Sequence, residues 1–296
     1  MLFDENRLKK VSIDVRIETL QVHKNCQATR IASSLSPVEL LVVLHYGGIR
    51  KFYPDQPNHP LRDRLIISKG HGSICMYPIL SDLGFFDSKL LADVGNETSY
   101  LGGIPDPSIP GYESTNGSLG HGLGIAGGVG LYLKRKYDNK SPRVYVLISD
   151  GELYEGSTWE AAMLIGALQL DNLTLIIDYN KKTMLGATEE IIPLGNLAER
   201  FSLMGWNAIE VDGHDNQQIF NAYISAAEQN KIPNVIVANT IKGKGVKSLE
   251  NDPLSHIANL SGDQVEAAKL EILSMGKELP ALNSTNSNNS FDRSIY

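Results

Sequence analysis

The 296-residue chain is predicted to fold as α/β, a doubly wound and mostly parallel sheet with helices on both faces. Two observations carry this. First, RVYVLIS (143–149) and LTLIID (173–178) are near-continuous runs rich in β-branched residues, with a segment of helical period between them. Second, the alternation repeats with NAIEV (207–211), a helical stretch over 216–230, and VIVANTI (235–241). Strands without polar alternation are strands buried on both faces, as in a parallel sheet covered by its own crossover helices.

Taken in order, the chain opens with an amphipathic helix over 5–27, then a helix over 37–45 that Ser36 caps and Pro37 starts. LIIS (65–68) is a short strand that delivers the chain into KGHGS. The segment 100–123, YLGGIPDPSIPGYESTNGSLGHGL, holds too much Gly, Pro and Ser for regular structure; a loop of that length inside a compact domain is usually a working loop. Helices are expected over 119–137 and 157–170, flanking strand 143–149, and a last one over 260–276. Residues 1–281 read as one domain and 282–296 as a polar, low-complexity tail without regular structure.

Composition narrows the function classes. A balance of 27 basic against 34 acidic residues, net −7 and without a long basic run, speaks against a nucleic-acid partner. Cys26 and Cys75 belong to no CxxC or Cys/His cluster, so they read as two free buried thiols. The amino terminus lacks an apolar signal core and no stretch reaches membrane-spanning length, so no membrane and a cytoplasmic location are expected. No nucleophile elbow points to a hydrolase. His23 and His214 show no partner in the sequence and read as structural or exposed.

In open α/β sheets ligands bind beyond the carboxyl ends of the strands, where strand order reverses. That rule selects SDGELYEGSTWE (149–160) and DYNKKTMLG (178–186), two loops that should open on one sheet edge. Asp150 offers a carboxylate and Asn180 an amide oxygen; with the backbone carbonyl of Lys182 they can hold Mg2+ and leave positions for phosphate oxygens. Taken alone, Asp150-Gly151 is equally an ordinary turn. Gly122, Gly124 and Gly127 fit GxGxxG, but they follow a polar loop instead of a strand, so close helix packing explains them better than a dinucleotide.

The spacing adds a family. Asp150-Gly151-Glu152, Glu155-Gly156, Glu160 on the following helix and Asn180 together resemble the thiamine-diphosphate motif of transketolases, and the resemblance runs from about residue 8 to 260, the first half of a full-length member. It implies thiamine diphosphate and Mg2+ as cofactors, with Asp150, Asn180 and Lys182 at the metal and Gly151 and Glu152 at the cofactor. ISKGHG (67–72) resembles the family segment whose histidine approaches the cofactor, so His71 is a cofactor-binding and catalytic candidate. IPGYESTNGSLGHGLGIAGGVGL (109–131) resembles the loop and helix start that wrap the cofactor, which brings in Gly117, Ser118, Leu119 and Gly120. KGKGV (242–246), followed by His256, resembles the late loop that returns a histidine to substrate and active centre. Glu155 and Glu160 match an acid network at the subunit contact.

In this family a glutamate that activates the cofactor lies in a second, pyrimidine-binding domain. The resemblance therefore implies a second subunit carrying that domain and the C-terminal one, in an α2β2 heterotetramer, and transfer of a two-carbon ketol unit to an aldehyde or ketone acceptor such as a sugar. Two departures bear on the substrate: Arg30 and Ile104 stand where ordinary transketolases have sugar-binding histidines. His121 replaces a glutamine, and Ser149 a glycine. Buried sugar hydroxyls need hydrogen-bonding partners, so their loss makes pyruvate-derived acyl transfer onto a specialised sugar the near alternative. The others are a 2-oxoacid dehydrogenase alpha subunit or a non-catalytic regulatory subunit.

Overall fold

A computed structural model describes residues 3–228 and 231–276, with Asn139 described by its backbone alone; the predicted tail lies outside these. The helices are α1 (Glu5–Asn25), α2 (Ile31–Leu35), α3 (Val38–Tyr46), α4 (Met76–Asp82), α5 (Gly122–Tyr137), α6 (Gly156–Ala167), α7 (Thr188–Ile191), α8 (Leu197–Leu203), α9 (Asn216–Glu228), α10 (Lys247–Asn251) and α11 (Gly262–Met275). The strands are β1 (Arg64–Ile67), β2 (Val144–Ser149), β3 (Leu173–Tyr179), β4 (Asn207–Asp212) and β5 (Asn234–Asn239). They form one sheet in the order β1-β2-β3-β5-β4, and every neighbouring pair is parallel.

Side-chain alternation splits the core into two layers. Val144, Val146 and Ile148 of β2 pack with α5, α6 and α8 on one face, while Tyr145 and Leu147 pack with α1, α3, α4 and α9 on the other. Because β2 and β3 are buried at every position, their runs show no polar alternation. The chain advances from β1 through β3 with α5 and α6 on one face, skips a place to β4, then returns to β5 past α9 on the opposite face. Strand order thus reverses beside β3, which is where a ligand crevice belongs. A third cluster, Leu20, Ile31, Leu35, Val246, Val265 and Ile272, seats α11 and the loop after β5 on α1 and α2.

One local expectation changes. Ser36 does not cap a helix: its backbone is helical, continuing α2, and Pro37 occupies the position before α3. The Ser36 hydroxyl instead donates to Asp178 at 2.6 Å, because the α2–α3 bend lies against the end of β3. The segment 100–121 holds only turns and bends, as its composition predicts, and α5 starts at Gly122. Gly122 faces Ser68 and a Cβ at Gly127 would come within 3.0 Å of Ile165, so two of the three decoy glycines serve close packing, whereas a Cβ at Gly124 would meet only open space. Cys75 is buried, but Cys26 is only half-buried, against the expectation for both. Among the described residues no helix is long and apolar enough to cross a membrane.

Candidate functional site

The carboxyl ends of β1, β2, β3 and β5 converge on a cavity of about 400 Å3. Its polar wall holds Lys69 and His71 after β1, Asp150 and Gly151 after β2, Asn180 and Lys182 after β3, and Lys242 with His256 after β5. Leu119, Tyr154, Met184, Leu185, Ile191 and Ile192 make an apolar side. The parallel sheet brings these residues together because all its strands end on one edge.

Asp150 is the focus. It is 1% exposed; its two oxygens accept from Gly151 N at 2.8 Å and Lys181 N at 2.5 Å. Burial and the neighbouring Asp178 charge push its carboxyl up to about 7, against the pull of Lys242. A buried carboxyl held by only two neutral donors is set to accept a cation. The Asn180 amide oxygen accepts from Lys182 N at 3.2 Å, and the Lys182 carbonyl accepts from Lys242 Nζ at 2.9 Å. The donor set is a carboxylate, an amide oxygen and a carbonyl, all hard oxygens that fit Mg2+ when phosphate oxygens complete the shell. Consistent with so few protein ligands, no three His, Cys, Asp or Glu side chains cluster as a metal cage among the described residues.

Beneath Asp150 lies a layer that sequence reasoning did not assign. Asp178, at the end of β3, is fully buried and accepts from the Lys69 ammonium and from the hydroxyls of Ser36 and Thr240. Burial pushes this carboxyl up, but Lys69 and the hydroxyls outweigh it and hold it below the ordinary range. Lys69 also donates to the Ser33 carbonyl at 2.8 Å. The signal was present in LTLIID: an acid closing an otherwise apolar buried run demands a partner.

The two candidate histidines meet, with ring centroids 5.1 Å apart. Burial, then the charges of Lys69, His256, Lys242 and Arg30, push His71 down to about 3; burial, then Lys242, Arg30 and Lys69, push His256 down to about 4. Both imidazoles are therefore neutral near pH 7 and able to accept or donate a hydrogen bond. Arg30, just before α2, is half-buried, and no carboxylate pairs with it among the described residues. Ile104 is 46% exposed and lies over Gly70, in contact range of the same loop.

Other candidates separate. Leu119 and Glu155 line the cavity, and Gly120, at φ +86°, packs on Glu155 while its carbonyl accepts from Ser157 at 2.9 Å. Gly117 and Ser118 are exposed and stand outside the lining. Glu152 was expected at the cofactor, yet it is fully buried and not part of the cavity wall. The 3-10 turn Asp150–Tyr154 carries it under the site, where it accepts from the Ser68 hydroxyl and from Gly120 N at 2.9 Å, tying β1 to the start of α5. Glu160 does not line the cavity either; it is exposed on α6, in helical register with Met163, Leu164 and Ala167. His121 is exposed at the head of α5. His23 and His214, without partners in the sequence, prove structural: His23 contacts Thr29 Oγ1 at 2.7 Å, and His214 bridges Glu39 at 3.0 Å and Ile241 N at 2.8 Å.

Comparison with known proteins agrees with this geometry. Residues 14–279 match the family model described as transketolase, thiamine diphosphate binding domain. The chain is 35% identical over 257 residues to an apulose-4-phosphate transketolase subunit of Phocaeicola vulgatus, covering 87% of this chain and 90% of that one. It is 36% identical over 259 residues to a 6-deoxy-6-sulfo-D-fructose transketolase subunit of Clostridium sp., covering 87% and 93%. Human transketolase is 34% identical over 271 residues, 90% of this chain but 42% of that protein. The crystal structure of Campylobacter jejuni transketolase superposes with a TM-score of 0.85 at 29% identity, over 91% of this chain and 43% of that one. The chain belongs to the transketolase family, as a thiamine-diphosphate-binding N-terminal subunit of the split type.

Proposed function

We propose that this chain is the cofactor-holding subunit of a thiamine-diphosphate- and Mg2+-dependent transketolase that transfers a two-carbon ketol unit to an aldehyde or ketone acceptor. The observation that carries the reading is the convergence of Asp150, Asn180 and the Lys182 carbonyl at the floor of the cavity. Once bound, thiamine diphosphate supplies the nucleophilic carbon and electron sink that let a carbon–carbon bond beside a ketone break. The chain's residues do the rest of its share. Asp150, Asn180 and Lys182 hold the metal, Leu119, Gly151 and the apolar side hold the cofactor body, and Gly117 and Ser118 would close over it. The neutral pair His71 and His256 would hydrogen-bond the substrate and move its proton.

A partner supports the reading from two sides. Both split-type relatives are covered over nine-tenths of their length, and each is named as a subunit. On the surface, Ile125 and Tyr132 of α5, Met163 and Leu164 of α6 and Leu168 just after it are all exposed, with open space over Gly124 and Gly128. An apolar face this broad suits a subunit contact. We assign it to a second polypeptide bearing the pyrimidine-binding and C-terminal domains, two copies of each chain forming α2β2, with Glu160 at the edge of the contact and Glu155 reaching it from the cavity.

Arg30 and Ile104 favour a second reading of the substrate. A guanidinium whose charge reaches both histidines, together with an aliphatic side chain exposed over Gly70, suits a donor with a carboxylate and a methyl group, and so acyl transfer from pyruvate onto a sugar. The match to the transketolase domain over 14–279 and the intact metal loop leave the 2-oxoacid dehydrogenase and regulatory readings without a supporting observation. Calorimetric titration with thiamine diphosphate and Mg2+, with and without the partner, tests the proposal. Asp150→Asn should weaken Mg2+-dependent cofactor binding at least about tenfold; undiminished binding would overturn it. Arg30→Met should raise KM for an oxoacid donor and spare a neutral ketose if the second reading holds.

A further inference from the structure

A cation of this chain already stands at one of the oxygens assigned to the metal. Lys242 is 3% exposed, and its ammonium donates to the Lys182 carbonyl at 2.9 Å and contacts His256 Nδ1 at 3.0 Å. It lines the same cavity as Asp150. So one side chain satisfies the carbonyl that a divalent ion would use and brings a positive charge into the cavity that holds the carboxylate.

The backbone that delivers Lys242 is held on both sides. Ile241 N donates to His214 Nε2 at 2.8 Å, and His214 Nδ1 meets Glu39 at 3.0 Å. Glu39 in turn takes a two-pronged ion pair from Arg16 at 2.5 and 2.7 Å, and Arg16 Nε donates to the Lys244 carbonyl at 3.2 Å. Gly243 N donates to the Ala32 carbonyl at 3.0 Å, at φ +79°, where a side chain would strike Leu249. With the main chain held at these points, the Lys242 side chain is the part placed to make room.

We infer that Lys242 is a resident stand-in for the divalent cation, so that metal and diphosphate displace it together and their binding is coupled through it. The inference rests on the cofactor reading above. A metal ion arriving alone must take the Lys182 carbonyl from an ammonium and then sit beside it, a like-charge contact in a buried site. A diphosphate arriving with the metal offers that ammonium new anionic acceptors in the same cavity, so the repulsion becomes attraction. Each ligand therefore improves the site for the other, and by linkage the gain is reciprocal.

The test is Mn2+ binding to the full 296-residue chain, read from the free-ion paramagnetic resonance signal and by calorimetry, with and without thiamine diphosphate. Lys242→Met should bind Mn2+ alone at least about tenfold more tightly than the natural chain, and the factor by which thiamine diphosphate tightens Mn2+ binding should shrink by a similar amount. Lys242→Gln keeps chain length and hydrogen bonding without the charge and should move the same way, which covers the case in which the methionine variant fails to fold. Folded variants that bind Mn2+ alone no better than the natural chain, or show no binding where Mn2+ with thiamine diphosphate saturates, overturn the inference. If no form takes up thiamine diphosphate with metal even when the partner subunit is present, it is the cofactor reading that has failed.

Discussion

Lys69→Met tests the buried layer under the site. The Lys69 ammonium is 1% exposed and pairs with an Asp178 carboxylate that is fully buried, the pair sitting between the carboxyl ends of β1 and β3. Removing the ammonium leaves Asp178 with the hydroxyls of Ser36, at 2.6 Å, and Thr240, and a distant Asn180 amide at 3.5 Å. It also leaves the Ser33 carbonyl without the donor it has at 2.8 Å. Breaking one side of a buried pair typically costs about 3–5 kcal/mol, because the remaining charge stays out of water. Urea unfolding followed by circular dichroism, at pH 7 and without cofactor, reads the loss as a drop in midpoint at unchanged slope. The double variant Lys69→Met/Asp178→Asn removes both charges, so it should be more stable than the sum of the single losses by about 1–3 kcal/mol. A loss below about 1 kcal/mol in the single variant, or strict additivity in the cycle, would refute the reasoning.

Other outcomes follow from single contacts. Gly122→Ala drives a methyl group into Ser68, whose Cα would lie 2.9 Å from it, and should cost about 1–3 kcal/mol, whereas Gly124→Ala, with open space around it, should be neutral or stabilise the isolated chain; thermal melts of the pair decide. His45 is fully buried, contacts the Leu41 carbonyl at 2.7 Å and Arg50 at 2.9 Å, and burial, then the Arg50 charge, pushes it down to about 3. Its unfolded form takes up a proton near pH 6.5 while the folded form does not, so stability falls as pH drops from about 6.5 toward 3, by up to a few kcal/mol. His45→Gln should remove about one proton from the pH dependence of unfolding in that window; an unchanged slope would count against it. Tyr132→Asp on the exposed face of α5 should weaken assembly with the partner, measured by sedimentation, while leaving the melting temperature of the isolated chain within a degree or two.

Much of the fold was legible because burial on both faces leaves an unmistakable trace. All five strands fall within a residue or two of their predicted places; β1, β2, β3 and β5 are mostly buried runs, while β4, at the sheet edge, is only partly buried and mixes apolar with polar residues. The short helices α2, α4, α7, α8 and α10 were not predicted; at four to seven residues each is too brief to show a helical period. At the site, Asp150, Asn180 and Lys182 were candidates from loop position and spacing, and His71 and His256 from the family resemblance; the cavity brings all five together. Glu152 misled because it shares the motif's sequence but turns inward to Ser68 and Gly120. The ending of LTLIID marked Asp178 as an acid in need of a partner, but that the partner is Lys69, and where Lys242 is placed, were not legible, because each depends on contacts between residues 60 to 109 positions apart.

By itself the sequence determined the layer architecture and the edge of the sheet where chemistry belongs. Those follow from local periodicity and from the rule that parallel strands all end on one side. Only the tertiary structure decided which acid sits beneath the site, which lysine stands at the Lys182 carbonyl, and that the two histidines share one wall within reach of the Arg30 charge. Electrostatic partners are chosen by proximity in space, and a charge carries no mark along the chain of the partner that burial will require of it.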